Sequence, residues 1–199
     1  MLKCNQELLQ DASNLNFLLK SRGISQSTVK LCCIGIDKAK RRWVFPTFKY
    51  SYDANPKILG FEYRPLDLNS KGIYREKGTP TCMAMINSYA NQKVLVMLEG
   101  YLDGYAFVEH LANIGQLPFY HVITPSNGVA NAVRLLSEIE YNFDKYSKIY
   151  VYLDSDKAGI PKMEELKGKY PFVEPQIMKC GCKDFNEHYL KCILSCRIE

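Results

Sequence analysis

Two apolar runs that end in carboxylates do most to restrict the fold. "KVLVML" (93–98) runs straight into Glu99, and "KIYVYL" (148–153) into Asp154 and Asp156. Neither run alternates between apolar and polar residues, which is the pattern of a strand covered on both faces. Around them lie helical patterns, "YLDGYAFVEHLANIG", "GVANAVRLLSEIEYNF", "KAGIPKMEELKGK" and "DFNEHYLKCILS". The segments "HVIT" and "PFVEPQIM" read as a short strand and a weaker one. This strand–helix alternation predicts an α/β fold over residues 81–199, a parallel sheet with helices on both faces.

Residues 1–80 have a different texture and predict a small α+β subdomain. "NQELLQDASNLNFLLKSRG" has leucines near helical spacing and Gly23 as a stop, and Ser25 can cap a second short helix. "RRWVFPTFKY" and "KILGFEYRPL" predict an antiparallel pair across the turn-prone "SYDANP". Trp43 and its aromatic neighbours read as core. The polar stretch from Asn69 to Thr81 marks the boundary.

Charge adds a hint of a partner. The net charge is +5, and between Lys38 and Lys77 ten Lys or Arg face four acids. A basic face of this kind is compatible with a nucleic acid. The N-terminal stretch lacks the apolar run of a secretory signal and no segment approaches membrane-spanning length, so a cytoplasmic protein without membrane contact is expected. Its eight cysteines are then expected to be reduced. Cys32 and Cys33 read as core filler. Cys180, Cys182, Cys192 and Cys196 follow a C-x-C then C-x-x-x-C spacing that matches no standard finger or ribbon, so no zinc is expected.

From Asp154 the sequence also imitates a twelve-residue calcium loop, with acids at Asp154, Asp156 and Glu165 and a glycine at Gly159. The imitation fails on its flanks and its ligands. A strand precedes it where a helix is required, Ala158 offers no ligand, Pro161 lacks an N–H, and Lys162 repels the ion.

In an open parallel sheet, ligands gather at the carboxyl ends of the strands. Glu99 lies there, with Gly100 after it allowing a tight turn and Asp103 one helical turn on. "TPSNG" (124–128) leads from a strand into a helix whose N–H groups could hold a phosphate. Asp154 and Asp156 follow the third strand, and Lys183, Asp184, Asn186 and Glu187 open the last helix. Each acid alone reads as an ordinary helix cap. Several acids on one rim repel unless a cation lies between them, and hard oxygen donors favour Mg2+ or Mn2+. Such a site suits phosphate chemistry.

"EGYLDGYAF", "TPSNGVAN", "VYLDSDKAG" and "KDFNEHYL", in this order and spacing, resemble the Toprim domain of bacterial-type DNA primases. The "SNG" loop and the "KDFNE" ending are most similar to phage and plasmid helicase-primases. Upstream, "LKSRGISQSTVKLCCIGID" and "WVFPTFKYSYDANPKILGFEYRPL" resemble the small subdomain that precedes Toprim in those enzymes, so the likeness covers nearly the whole chain.

The resemblance implies a Toprim-like sheet and a metal-dependent nucleotidyltransferase that makes RNA primers on single-stranded DNA for a phage, plasmid or mobile element. It implies that Glu99 is a catalytic acid/base or metal-shaping carboxylate. Asp154 and Asp156 would bind Mg2+ or Mn2+, with Asp103 and Asp184 assisting. Asn127 and Gly128 would approach nucleotide phosphates beside Lys183. Arg64 and the stretch Lys40, Arg41 and Arg42 would hold the template backbone, a salt-sensitive contact. Nothing ahead of Lys3 supplies the zinc-binding module of such primases and no helicase region follows "KDFNEHYL". The partners expected beyond template and nucleoside triphosphates are therefore a helicase or a separate zinc-binding module. Two alternatives stay open: a Toprim nuclease using the same acids, and a non-catalytic nucleic-acid-binding accessory of a replication complex.

Overall fold

A computed structural model of the chain describes residues 2–52, 56–67, 72–87, 92–157, 159–178 and 180–195. Asn69, Lys71, Ala158 and Cys196, which enter the sequence reading, lie outside these residues. The N-terminal helical pattern forms two helices, α1 (Leu2–Leu9) and α2 (Ala12–Arg22), where one was expected. Asp11 makes the break. Its carboxylate accepts the Asn14 N–H at 3.1 Å and starts a new helix, satisfying a donor left open at a helix start. Gly23 closes α2 in the left-handed conformation, which costs glycine little. Ser25 caps α3 (Gln26–Leu31) through the Thr28 N–H.

The aromatic segments pair as expected. β2 (Arg42–Lys49) lies antiparallel to β3 (Ile58–Pro65), with β1 (Gly35–Asp37) against the first half of β2 and β4 (Tyr74–Arg75) beyond β3. Trp43 is fully buried, stacks on Phe17 and donates its indole N–H to the Leu66 carbonyl at 2.9 Å. It is core. Next comes β5 (Met83–Met85), then β6 (Val94–Leu98), α4 (Tyr101–Asn113) and β7 (Tyr120–Pro125). They are followed by α5 (Ala132–Ser137), β8 (Lys148–Tyr152), α6 (Gly159–Lys169), β9 (Glu174–Gln176) and α7 (Phe185–His188). The helix expected over "GVANAVRLLSEIEYNF" is broken, with 3-10 turns at Val129–Asn131 and Glu140–Lys145 on either side of α5. Ser137 donates its hydroxyl to the Arg134 carbonyl at 2.6 Å, a local bond that competes with the helical ladder.

The nine strands form one mixed sheet in the order β4-β3-β2-β5-β7-β6-β8-β9, with β1 off this path on β2. Its C-terminal part, β7-β6-β8-β9, is parallel, and helices cover both faces. Its N-terminal part is antiparallel. β5 joins the two, antiparallel to both β2 and β7, so the sheet runs without interruption past residue 80.

The unbroken apolar runs are explained by the two faces. On β6, Val96 and Leu98 pack in the cluster that holds Leu8, Leu18, Val29, Tyr105 and Phe185. Leu95 and Met97 pack in the opposite cluster, with Leu135 and Leu166. Each such buried side chain contributes about 1.5–3 kcal/mol of transfer free energy.

Candidate active site

The site starts from register. β6 and β8 are parallel neighbours with Leu98 opposite Tyr152, so Glu99, one residue past β6, and Asp154, two past β8, leave the sheet at the same edge. The Asp154 N–H donates to Glu99 Oε2 at 2.9 Å, fixing that carboxylate against the end of β8. Gly159 is what allows α6 to begin so near. A Cβ there would lie 2.1 Å from the Asp154 carbonyl oxygen. Gly100, in contrast, is extended (φ −138), so the expected tight turn does not demand it.

The loop before α7 lies across the same rim. Its Lys183 carbonyl accepts the Ser155 N–H at 3.0 Å, and Lys183 Nζ reaches Asp154 Oδ2 at 3.1 Å. Asp184 caps α7 through the Glu187 N–H at 2.8 Å. The Asn186 N–H donates to Asp103 Oδ1 at 3.0 Å, linking α7 to the first turn of α4. Asn127 and Gly128 follow β7 and both carry positive φ (72 and 81).

Glu99, Asp103, Asp154, Lys183, Asp184, Asn127 and Gly128 thus line one cleft of about 490 Å3. Asp156 does not line it. Its Oδ1 accepts the Gly159 N–H at 3.0 Å at the start of α6, an ordinary cap, though its charge still acts on Glu99.

Three arginines and Glu62 also line the cleft. Arg64 is held by Glu62 at 3.0 Å. Arg22 and Arg75 join it, and neither was singled out from the sequence. Arg22 donates to Asn186 Oδ1 at 3.3 Å, and Arg75 donates to the Pro80 carbonyl at 2.7 Å. The basic stretch before β2 is elsewhere. Lys40, Arg41 and Arg42 are not among the cleft residues. Arg42 pairs with Asp37 at 3.1 Å and lies over the Tyr63 ring at 3.6 Å.

The acids feel one another. Burial, then Asp184, Asp154 and Glu99, push the Asp103 carboxyl up to about 7, against the pull of the Asn186 N–H. Burial also raises Glu99, opposed by the Asp154 N–H, and raises Asp154, opposed by Lys183. Among the described residues, no three cleft acids bring carboxylate oxygens within 4.8 Å of one another. The donor set is hard, only partly balanced by Lys183, and too open to cage an ion by itself. That fits Mg2+, which keeps waters and uses one or two carboxylates plus phosphate oxygens.

Comparison with known proteins places this architecture. No protein-family model and no curated protein matches the sequence. Among solved structures, the chain is similar to one describing the bacteriophage T7 lagging-strand DNA polymerase interacting with primase domains of two gp4 subunits bound to an RNA/DNA hybrid and dTTP. There the identity is 25% and the TM-score 0.68, over 85% of this chain and 82% of that one. It is also similar to the primase fragment of the bacteriophage T7 primase-helicase protein, at 23% identity and a TM-score of 0.62, over 85% of this chain and 66% of that one. The chain has the fold of a phage-type primase domain. No described helix is long and apolar enough to cross a membrane.

Proposed function

We propose that the chain is a Toprim-type primase core, a metal-dependent nucleotidyltransferase that joins ribonucleotides on single-stranded DNA in the replication of a phage, plasmid or mobile element. The observation that carries the reading is the cleft itself, lined by Glu99, Asp103, Asp154 and Asp184 together with Arg22, Arg64 and Arg75. Likeness to primase domains, one set bound to an RNA/DNA hybrid and dTTP, supports template and nucleoside triphosphate as its ligands. A helicase and a separate zinc-binding module remain the proposed protein partners.

Glu99, Asp154 and Asp184 are the residues that would hold Mg2+ or Mn2+, with Asp156 adding charge from the start of α6. A bound divalent ion would neutralise charge on the attacking and leaving oxygens of phosphoryl transfer. Glu99, whose proton affinity burial raises, is the group suited to accept the proton of an attacking hydroxyl. Asp103 holds the Asn186 N–H and so positions the α7 end of the cleft. Lys183 balances Asp154 and can turn to a triphosphate oxygen. The arginines hold negatively charged backbone by charge-assisted hydrogen bonds. Asn127 and Gly128 offer exposed backbone to phosphates.

The test is a synthesis assay with labelled ribonucleotides, single-stranded DNA and Mg2+ or Mn2+, run beside a plain cleavage lane. Oligomers that disappear in Asp154→Ala support the proposal. Cleavage without synthesis would move the same acids to the nuclease reading.

A further inference from the structure

A second ligand set lies on the outer side of the same loop. Cys180 Sγ is 3.1 Å from His188 Nδ1, and Cys182 Sγ is 3.8 Å from Cys192 Sγ. One donor atom from each of the four lies within 4.8 Å of the others, and no other such group occurs among the described residues. Zinc–sulfur bonds of about 2.3 Å and zinc–nitrogen bonds of about 2.0–2.1 Å in a tetrahedron require edges of roughly 3.8 Å between sulfurs and 3.6 Å between sulfur and nitrogen. The Cys182–Cys192 edge has that length. The Cys180–His188 edge is tighter, and a small imidazole rotation opens it. At 3.8 Å the Cys182 and Cys192 sulfurs are far from the bond length of a disulfide, about 2.05 Å.

The backbone is shaped for such a grip. Gly181 takes φ +77 between the two cysteines, and the Cys182 N–H is aimed at the Cys180 sulfur. On the other side, His188 ends α7 and Cys192 lies one turn later, in a stretch wound as a π-helix from Tyr189 to Leu194. π-turns are rare and concentrate at functional sites. The His188 ring also packs on Phe185, with centroids 5.9 Å apart, which orients it.

We propose that Cys180, Cys182, His188 and Cys192 bind a zinc ion. The ligand set is soft, which selects zinc over the magnesium of the cleft. Four protein ligands leave no open position, so the site is structural. The ion joins the loop after β9 to the helix that follows. Lys183 and Asp184 come directly after Cys182, so the clip fixes the two residues that this loop sends into the cleft. The expectation of no zinc rests on the spacing of the cysteines; the proposed set adds His188 to them.

Metal content tests this directly, by elemental analysis of protein purified with zinc in the growth medium. About one zinc per chain is expected, falling at least tenfold in Cys182→Ser/Cys192→Ser. Cobalt(II) added to metal-stripped wild type should give the strong visible bands of a tetrahedral thiolate site. Stripping should also lower the melting temperature by several degrees, with recovery on adding zinc and none on adding magnesium. Wild type that takes up neither metal, or a double variant with unchanged zinc, would overturn the proposal. If the double variant fails to fold, the stripping and cobalt measurements on wild type still decide it. None of these readouts depends on primer synthesis, so this proposal and the one for the cleft fail separately.

Discussion

Two sets of metal-capable side chains meet at the loop before α7, and they are built on opposite principles. The cleft set is carboxylate, spread over the ends of β6 and β8 and the start of α7, and too open to enclose an ion alone. The cysteine–histidine set comes from thirteen consecutive positions, 180–192, and is already drawn together. An open oxygen set leaves coordination positions for phosphate oxygens that come and go. A closed sulfur–nitrogen set has nothing to exchange and serves the chain around it. The difference separates chemistry from scaffolding within one loop.

That contrast can be broken most severely at Asp154. Asp154→Ala should reduce primer synthesis by a factor of about 10³ or more, equivalent to about 4 kcal/mol in the barrier. Its zinc content should stay at the wild-type level. A parallel loss of both would show that the two sets are one site.

Gly159→Ala is expected to come next. The new methyl would meet the Asp154 carbonyl at 2.1 Å, so either α6 or the end of β8 must move. A cost of about 2–4 kcal/mol is expected, seen as a lowered denaturant midpoint, with synthesis falling as Asp154 shifts. A variant with unchanged midpoint and activity would show that the close approach is not needed.

Asp103 sharpens the electrostatic half of the contrast. Its carboxyl is raised to about 7 from an ordinary 3.8, so between those values the folded state holds more protons than the unfolded one. Stability from this group is therefore fully present below about pH 4, and is lost as pH rises toward 7. Asp103→Asn should flatten that slope and gain about 1–3 kcal/mol above pH 7, while still accepting the Asn186 N–H. Urea melts across pH 4–8 would show it, and a steeper slope in the variant would refute it.

The smallest effect belongs to the outer face of α6. Lys162 and Glu165 pair there at 2.7 Å, both partly exposed, which is where the last acid of the imitation calcium loop ends up. Glu165→Gln should change stability by less than about 0.5 kcal/mol and leave metal response in the synthesis assay unaltered.

Much of this was legible because strand burial and the residue after a strand are both local signals. "KVLVML" and "KIYVYL" announce strands covered on both faces, and the acids after them must reach the rim whatever the rest of the chain does. Arg22 and Arg75 had no such signal. One ends a helix far upstream and the other lies in a polar stretch, and only the tertiary fold points them at Asp184 and Pro80. β5 is three fully buried residues, too short to show a period. Lys40–Arg42 show the limit of a charge count, which has no direction: they lie outside the cleft, and Arg42 is held by Asp37 and Tyr63. His188, which the proposed zinc set needs, is not part of the cysteine spacing. Its four-residue separation from Cys192, one helical turn, was the available clue.

The three residues of β5 also govern how the chain can be divided. Cutting near residue 80 would leave the end of β2, at Phe48 and Lys49, without its β5 neighbour, and would uncover the edge of β5 that faces β2 while β5 stays on β7. Each piece would then carry an unpaired strand edge, a template for intermolecular pairing. Fragments made at that position should precipitate or associate when expressed apart and regain solubility when co-expressed, because each supplies the missing strand neighbour of the other.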